Sequence, residues 1–295
     1  MRLVPVLLVG VLTLALAACG TATDPPPGGE VPPDPDVDLV GHGLLLQATA
    51  QGPVELCLGG VAESYPPQCG GPALRGPFSW DDVDASRQGG VTWTEQPYWV
   101  VGRYDPDAGE QGSFTLTGPP TADPPPGHEP PAATGADFPQ LCADPTADVP
   151  DVDQDARTRG PDATAQEQEL MELTASLEGY VTSWVSDGGP TFNVLVTGDP
   201  DAARERIREV FDGPLCVEQR DLPTERAVRA AQGALLERAA ELGMLSSGSG
   251  VSGLLEVEVV VAGRATVERV HEIVEGWLTP EQVVVRGALR PLGRP

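Results

Sequence analysis

The chain carries the segment ERIREVFDGPL at 205–215 and repeats it as ERVHEIVEGWL at 268–278. Five of the eleven aligned positions are identical, and three more exchange Ile for Val or Asp for Glu. Both copies place apolar residues at helical spacing, and both lie between short apolar runs that are typical of strands. The sequence therefore predicts two βαβ units in the C-terminal part of the chain.

Further elements are predicted around these two copies. A capping-box pattern at 164–167 predicts a helix, and apolar spacing over 224–242 predicts another helix between the units. Ser246–Gly250 is rich in Gly and Ser, so it is predicted to be a flexible loop. Two βαβ units that share one antiparallel sheet form a ferredoxin-like domain, and we expect this α/β layout over 164–295.

Residues 40–118 have a different texture, in which short apolar runs alternate with Gly, Pro and Asp. Several runs are rich in β-branched and aromatic residues, as expected of strands. Six strands are predicted: Leu44–Ala48, Val54–Leu58, Ala73–Arg75, Gly90–Trp93, Trp99–Tyr104 and Ser113–Thr117. Short strands without a helical segment indicate a small all-β domain, an OB-like barrel or a sandwich. The fold class predicted for the whole chain is therefore α+β with two domains.

Two segments carry too few apolar side chains to form a core. Residues 19–39 are predicted to be a disordered tether, and 119–163 a Pro- and Asp-rich linker at which limited proteolysis should cut first. The linker contains Asp151–Asp155, which partly matches a calcium-binding loop but has Ala156 where that loop needs Gly. A solvated linker is the favoured interpretation, and calcium binding remains open.

The N-terminus has the layout of a secretory signal peptide, with a positive charge at Arg2 followed by the apolar run Leu3–Leu16. The run ends in Leu-Ala-Ala-Cys at 16–19, and this motif resembles the lipobox of bacterial lipoproteins. The resemblance implies that residues 1–18 are removed and that Cys19 is lipidated with diacylglycerol and palmitate. It also implies anchoring at the extracytoplasmic face of the cell membrane. A plain secretory signal with an accidental cysteine is the alternative.

The charge of the chain limits the classes of ligand that it can bind. All 18 basic residues are Arg, they face 44 Asp and Glu, and the formal net charge is −26. This charge argues against binding nucleic acid or anionic lipid, because phosphates would be repelled. The sequence contains no P-loop, no Gly-x-Ser-x-Gly elbow and no His-Glu-x-x-His motif. No catalytic residue, cofactor or metal site is therefore predicted.

The cysteines indicate a disulfide framework, since an exported chain enters an oxidising compartment. With Cys19 lipidated, four cysteines remain, and four allow three pairings. We expect Cys57 to pair with Cys69 across a local loop, and Cys142 to pair with Cys216.

The segment bounded by Cys57 and Cys69 resembles segments of actinobacterial lipoproteins without a characterised activity, so the resemblance assigns no residue a role. Closed by a disulfide, this loop would hold Glu63, Ser64 and Tyr65 in a fixed pose. Such a loop suits recognition, because little entropy is lost on binding. The alternative is that Tyr65 folds back and plugs one end of the barrel.

These observations favour a non-enzymatic lipoprotein that binds or presents an envelope protein or polymer. The alternative is an extracellular hydrolase that acts on a cell-wall or surface polymer through two carboxylates. A cleft with two carboxyl groups of raised pKa would favour the enzyme. The sequence does not predict the ligand, the partner or the oligomeric state.

Overall fold

The computed structural model describes residues 37–60, 64–109, 111–129, 137–148 and 163–293. Within these ranges the protein is mixed α+β, with a closed five-stranded barrel, additional sheets and five α-helices. The N-terminal strands are β1 (Leu39–Gln47), β2 (Glu55–Cys57), β3 (Ala73–Arg75), β4 (Ala85–Gln88), β5 (Val91–Thr94), β6 (Tyr98–Asp105) and β7 (Ser113–Leu116), with a 3-10 helix at Trp80–Asp82.

The barrel closes because β1 pairs with two other strands of the ring. Its first half pairs with β6 and its second half with β2, both antiparallel. From β2 the ring continues to β3, then in parallel to β7, and β7 returns to β6. The β4–β5 hairpin attaches outside the ring through Leu46 and Gln47 of β1. This ring is compatible with an OB-like barrel.

The C-terminal part contains the five α-helices and the remaining strands of the described chain. In order they are α1 (Ala163–Ser176), β8 (Tyr180–Val185), β9 (Phe192–Val196), α2 (Pro200–Arg208), β10 (Leu215–Gln219), α3 (Glu225–Leu236), α4 (Ala239–Leu242), β11 (Met244–Ser249), β12 (Leu255–Val259), α5 (Arg264–Val274), a 3-10 helix at Pro280–Gln282, β13 (Val283–Gly287) and β14 (Arg290–Pro291).

The repeated segments belong to two larger repeats of the order αββαβ, and the second has an additional short helix, α4, between its first helix and its first strand. The first repeat runs from α1 to β10, and the second from α3 to β13. In each, the first two strands are antiparallel and the last two are parallel. The offset is 63 residues, seen at Phe192 against Leu255 and at Glu205 against Glu268. The repeat therefore includes a strand and a helix more than the predicted βαβ unit.

The ferredoxin-like layout is not confirmed, because the described strands of the two repeats form separate sheets, β10-β9-β8 and β11-β12-β13. Ser246–Gly250, which was expected to be a flexible loop, instead lies mostly within β11, which completes the second sheet. Each sheet packs its own helices. Ile207 of α2 lies in the core of the first repeat, and Val270 of α5 in that of the second. Because the helices of each repeat cover the apolar face of its own sheet, that sheet does not need strands from the other repeat.

The barrel and the second repeat share a hydrophobic core. Val260 from the second repeat and Leu289, which follows β13, belong to the same buried cluster as Leu45 and Phe114 of the barrel. Strand β14 also pairs with the start of β1. A Cβ atom at Gly41 of β1 would lie 2.6 Å from Leu289 Cδ2, so a residue without a side chain permits this approach. The predicted domain boundaries remain a prediction, but these contacts tie the two parts together.

Residues 137–148 lie on the first repeat and are called the strap here. Phe138 and Leu141 pack against the cluster of Val181, Trp184 and Leu195 on the face of the first sheet opposite α1 and α2. This part of the predicted linker is therefore bound to the α/β part of the structure.

No helix within the described ranges combines the length and the apolar character needed to cross a membrane. The signal peptide, the lipobox and the Asp151–Asp155 segment all lie outside the described residues.

Candidate functional site

Two disulfides join the pairs that the sequence analysis expected. One connects Cys57 to Cys69, and the other connects Cys142 of the strap to Cys216 of β10. Disulfides persist in oxidising compartments, so they indicate an extracellular or periplasmic location.

The loop closed by Cys57 and Cys69 exposes its tyrosine. The side chain of Tyr65 is 71% exposed, and its ring meets the ring of Trp93 edge-on at a centroid distance of 5.4 Å. Ser64 Oγ donates a hydrogen bond to the carbonyl oxygen of Pro66 (2.9 Å). Tyr65 therefore lies on the surface and does not plug the barrel. The other two predicted site residues, Glu63 and the lipidation site Cys19, lie outside the described residues.

A groove of about 850 Å³ runs between the barrel and the second repeat, and we call it the barrel–repeat groove. Apolar residues from both sides line it, among them Leu39 of β1 and Val260 after β12. Its polar lining includes Arg103, Tyr104 and Asp107 from the barrel, and Glu241, Arg264 and Thr266 from the second repeat. The groove thus combines an apolar surface with charges of both signs.

Ion pairs and hydrogen bonds hold several polar groups of this groove in place. Arg103 Nε donates to Asp38 Oδ1 (3.3 Å), and the hydroxyl of Tyr104 donates to the carbonyl oxygen of Gln111 (3.2 Å). Burial, with the nearby charge of Asp105, raises the pKa of Tyr104. This tyrosine therefore stays protonated and remains a hydrogen-bond donor at neutral pH.

One carboxyl group that lines the groove, Glu241, is already bound by an arginine. Hydrogen bonding from Arg269 lowers the pKa of Glu241, so this carboxyl group is a poor proton donor at neutral pH. Burial raises the pKa of Glu55 on β2, but Glu55 does not line the groove. Within the described ranges, no group of three or more His, Cys, Asp or Glu side chains is placed to hold a metal ion.

A second, smaller concavity of about 410 Å³ lies on the sheet of the second repeat. Its lining comes from Ser246–Gly250, from Glu256–Glu258 of β12 and from Arg286 of β13. This surface was not predicted from the sequence, because Ser246–Gly250 was expected to be a loop. Strand β12 alternates Glu with Leu or Val, a pattern typical of a strand with one polar face.

The structure is that of an α+β protein in which a disulfide-bearing barrel shares a core with one of two αββαβ repeats. No protein-family model matches the chain, and no curated protein or solved structure is significantly similar to it.

Proposed function

We propose that this protein is a lipid-anchored, extracytoplasmic binding protein that holds a ligand without chemical conversion in the barrel–repeat groove. The observation that carries the proposal is the groove itself. Its volume of about 850 Å³ lies in the usual range for ligand sites, and it lies between two parts of the molecule, where such sites are common. Its apolar surface supplies contact area, and polar groups such as Tyr104 and Arg264 supply orientation.

The anchoring part of the proposal rests on the lipobox-like motif that ends in Cys19. The two disulfides support an extracytoplasmic location, because disulfides persist in the oxidising environment outside the cytoplasm. A single acyl chain binds a membrane reversibly, whereas two or three chains hold a protein firmly. Cys19→Ala should therefore release the protein from the detergent phase or leave it unprocessed. Unchanged partitioning of this variant would contradict the anchor.

An OB-like assignment of the barrel belongs to the same proposal. It is supported by the ring β1-β2-β3-β7-β6 and by the parallel pairing of β3 with β7. OB barrels bind oligonucleotides or oligosaccharides in general. A net charge of −26 favours an uncharged or cationic ligand over a nucleic acid.

The hydrolase remains a second candidate because Glu256 and Glu258 share one face of β12. Both carboxylates already accept hydrogen bonds, Glu256 from Arg286 (2.6 Å) and Glu258 from Ser246 (3.3 Å). Release of reducing sugar from cell-wall polymer, lost in Glu258→Gln, would favour the enzyme.

The binding proposal is tested with two glycines that flank α5. Gly263 lines the groove and Gly276 does not, and an added Cβ at either position meets no atom within 4 Å. Gly263→Trp should fill part of the groove, while Gly276→Trp is the matched control. Native mass spectrometry of protein purified from the envelope should show a bound ligand in the wild type and in the control, and its loss in Gly263→Trp. A ligand that all three proteins retain, or that none carries, would contradict the proposal.

A further inference from the structure

The two repeats differ in what covers the sheet face opposite their helices. In each sheet, alternate residues of the central strand face the repeat's own helices, as Val194 does in β9 and Val257 in β12. In the first repeat the strap covers the opposite face. In the second repeat the opposite face carries the concavity of about 410 Å³. Among the described residues, its lining comes only from the strands of this repeat and from the turn after β11. We call this surface the open face.

The strap shows how such a face binds an extended segment. Leu141 donates its backbone N–H to Asn193 Oδ1 (2.9 Å), and Trp184 Nε1 donates to the carbonyl oxygen of Pro139 (2.8 Å). Phe138 exchanges hydrogen bonds with Asp187, with its N–H donating to Oδ2 and its carbonyl oxygen accepting from the Asp187 N–H, both at 2.8 Å. The first sheet therefore binds the strap through hydrogen bonds to its backbone and through packing of the Phe138 and Leu141 side chains.

Strand register identifies the matching positions of the second repeat. Trp184 of β8 pairs with Asn193 of β9, and Gly248 of β11 pairs with Glu256 of β12. Gly248 thus stands where the first repeat has a tryptophan, and Glu256 stands where it has the asparagine that binds the strap. A Cβ at Gly248 would meet no atom within 4 Å. The missing indole leaves the concavity.

The same register gives the open face its charge. Thr182 pairs with Leu195 in the first repeat, and Ser246 pairs with Glu258 in the second, so Glu258 replaces a leucine that packs with the strap. The open face therefore carries two carboxylates, Glu256 and Glu258, and one cation, Arg286. Its net charge is negative, in a chain whose total charge is −26.

We propose that the open face is a docking surface for an extended segment of a partner protein that carries a basic side chain. Glu256 accepts a backbone N–H from that segment, as Asn193 does from Leu141. Glu258 receives the basic side chain, because the apolar partner taken by Leu195 has no favourable contact with a carboxylate. The surface shares no lining residue with the barrel–repeat groove, so this inference goes beyond the proposed function and does not depend on it.

Peptides copied from the strap test the proposal with the full chain in detergent. The parent peptide covers residues 137–142 with Cys142→Ser, and two further peptides also carry Leu141→Arg or Leu141→Glu. Fluorescence anisotropy should show that the arginine peptide binds about tenfold or more tightly than the glutamate peptide. The affinity of the arginine peptide should fall as NaCl is raised, since a half-exposed ion pair is screened.

Two variants of the protein place the binding on the open face. Glu256→Ala removes the carboxylate that accepts the peptide N–H and should weaken the arginine peptide about tenfold or more. Glu258→Gln should reduce the preference for arginine over glutamate while the fold, checked by circular dichroism, is retained. Gly276→Trp, which lies outside the concavity, should leave binding unchanged. Equal binding of all three peptides, no binding at millimolar peptide, or unchanged binding to Glu256→Ala would each overturn the proposal.

Discussion

Removal of the Cys142–Cys216 disulfide should destabilise the protein more than removal of Cys57–Cys69. The two bonds span 74 and 12 residues of sequence. In the chain-entropy model a disulfide acts by restricting the unfolded chain, and the effect grows with the logarithm of the loop length. These separations correspond to about 4.4 kcal/mol for Cys142–Cys216 and about 2.8 kcal/mol for Cys57–Cys69. The difference of about 1.6 kcal/mol, which follows from the ratio of the two loop lengths, is within reach of a careful unfolding experiment.

The assay compares the double variant Cys142→Ala/Cys216→Ala with the matched variant Cys57→Ala/Cys69→Ala. Urea unfolding under non-reducing conditions gives the free energy of unfolding of each variant and of the wild type. The strap should stay docked in the first variant, because the hydrogen bond from Leu141 to Asn193 and the apolar contacts of Phe138 and Leu141 do not involve the disulfide. Amide hydrogen exchange at Leu141 should therefore remain slow relative to an exposed amide.

Two outcomes would refute this reasoning. A larger loss in the Cys57→Ala/Cys69→Ala variant would show that loop length does not govern the stabilisation. Fast exchange at Leu141 after removal of Cys142–Cys216 would show that the covalent bond, and not the hydrogen bonds and apolar contacts, holds the strap on the sheet.

Three further predictions concern the loop, the pH dependence and the connection between the two parts. Tyr65→Ala should cost about 1 kcal/mol or less because the side chain is mostly exposed, whereas the buried Trp93→Ala should cost about 3–5 kcal/mol; equal losses in chemical unfolding would contradict the placement of Tyr65. Burial, with the charge of Arg290, lowers the pKa of His42 below 6.5. The unfolded chain then binds its proton at higher pH, so stability should fall as the pH drops through 6.5, and His42→Phe should flatten that part of the profile. Cleavage within 119–163 should leave both parts associated in size-exclusion chromatography, because Leu289 lies in the barrel core; separation without denaturant would count against this.

The sequence predicted the elements with strong patterns. Strand β6 was predicted as Trp99–Tyr104 and lies at Tyr98–Asp105, because β-branched and aromatic residues dominate it. Strand β11 was missed, since Met244–Ser249 consists mostly of Ser and Gly and forms a strand through its pairing with β12. Strand β4, Ala85–Gln88, was missed for the same reason, because it carries no apolar run and depends on β5. Tertiary pairing outweighed local propensity in both.

The candidate sites depend on contacts that no local pattern reveals. The barrel–repeat groove exists because β14 returns to β1, so that Leu39 pairs with Pro291 at the far end of the chain. The cysteine pairs were predictable because four cysteines allow only three arrangements and one pair is local. The exposure of Tyr65 was left open by the sequence, since a tyrosine in a short loop can turn inward or outward with the same backbone.

The two repeats share a backbone arrangement, but their outer sheet faces differ in what covers them, and a few side chains account for this difference. The first repeat places Trp184 and Asn193 on its outer sheet face, and these residues bind the strap. The second repeat has Gly248 and Glu256 at the same register, and its buried residues near Val260 instead join the barrel. Each repeat therefore buries one large surface against another part of the chain. The first repeat buries its outer sheet face under the strap, and the second buries the end of its sheet against the barrel. The outer face of the second repeat is left with a shape that a tryptophan would close and with charges that an apolar strap could not satisfy. This is why a basic partner segment, and not a second copy of the strap, matches it.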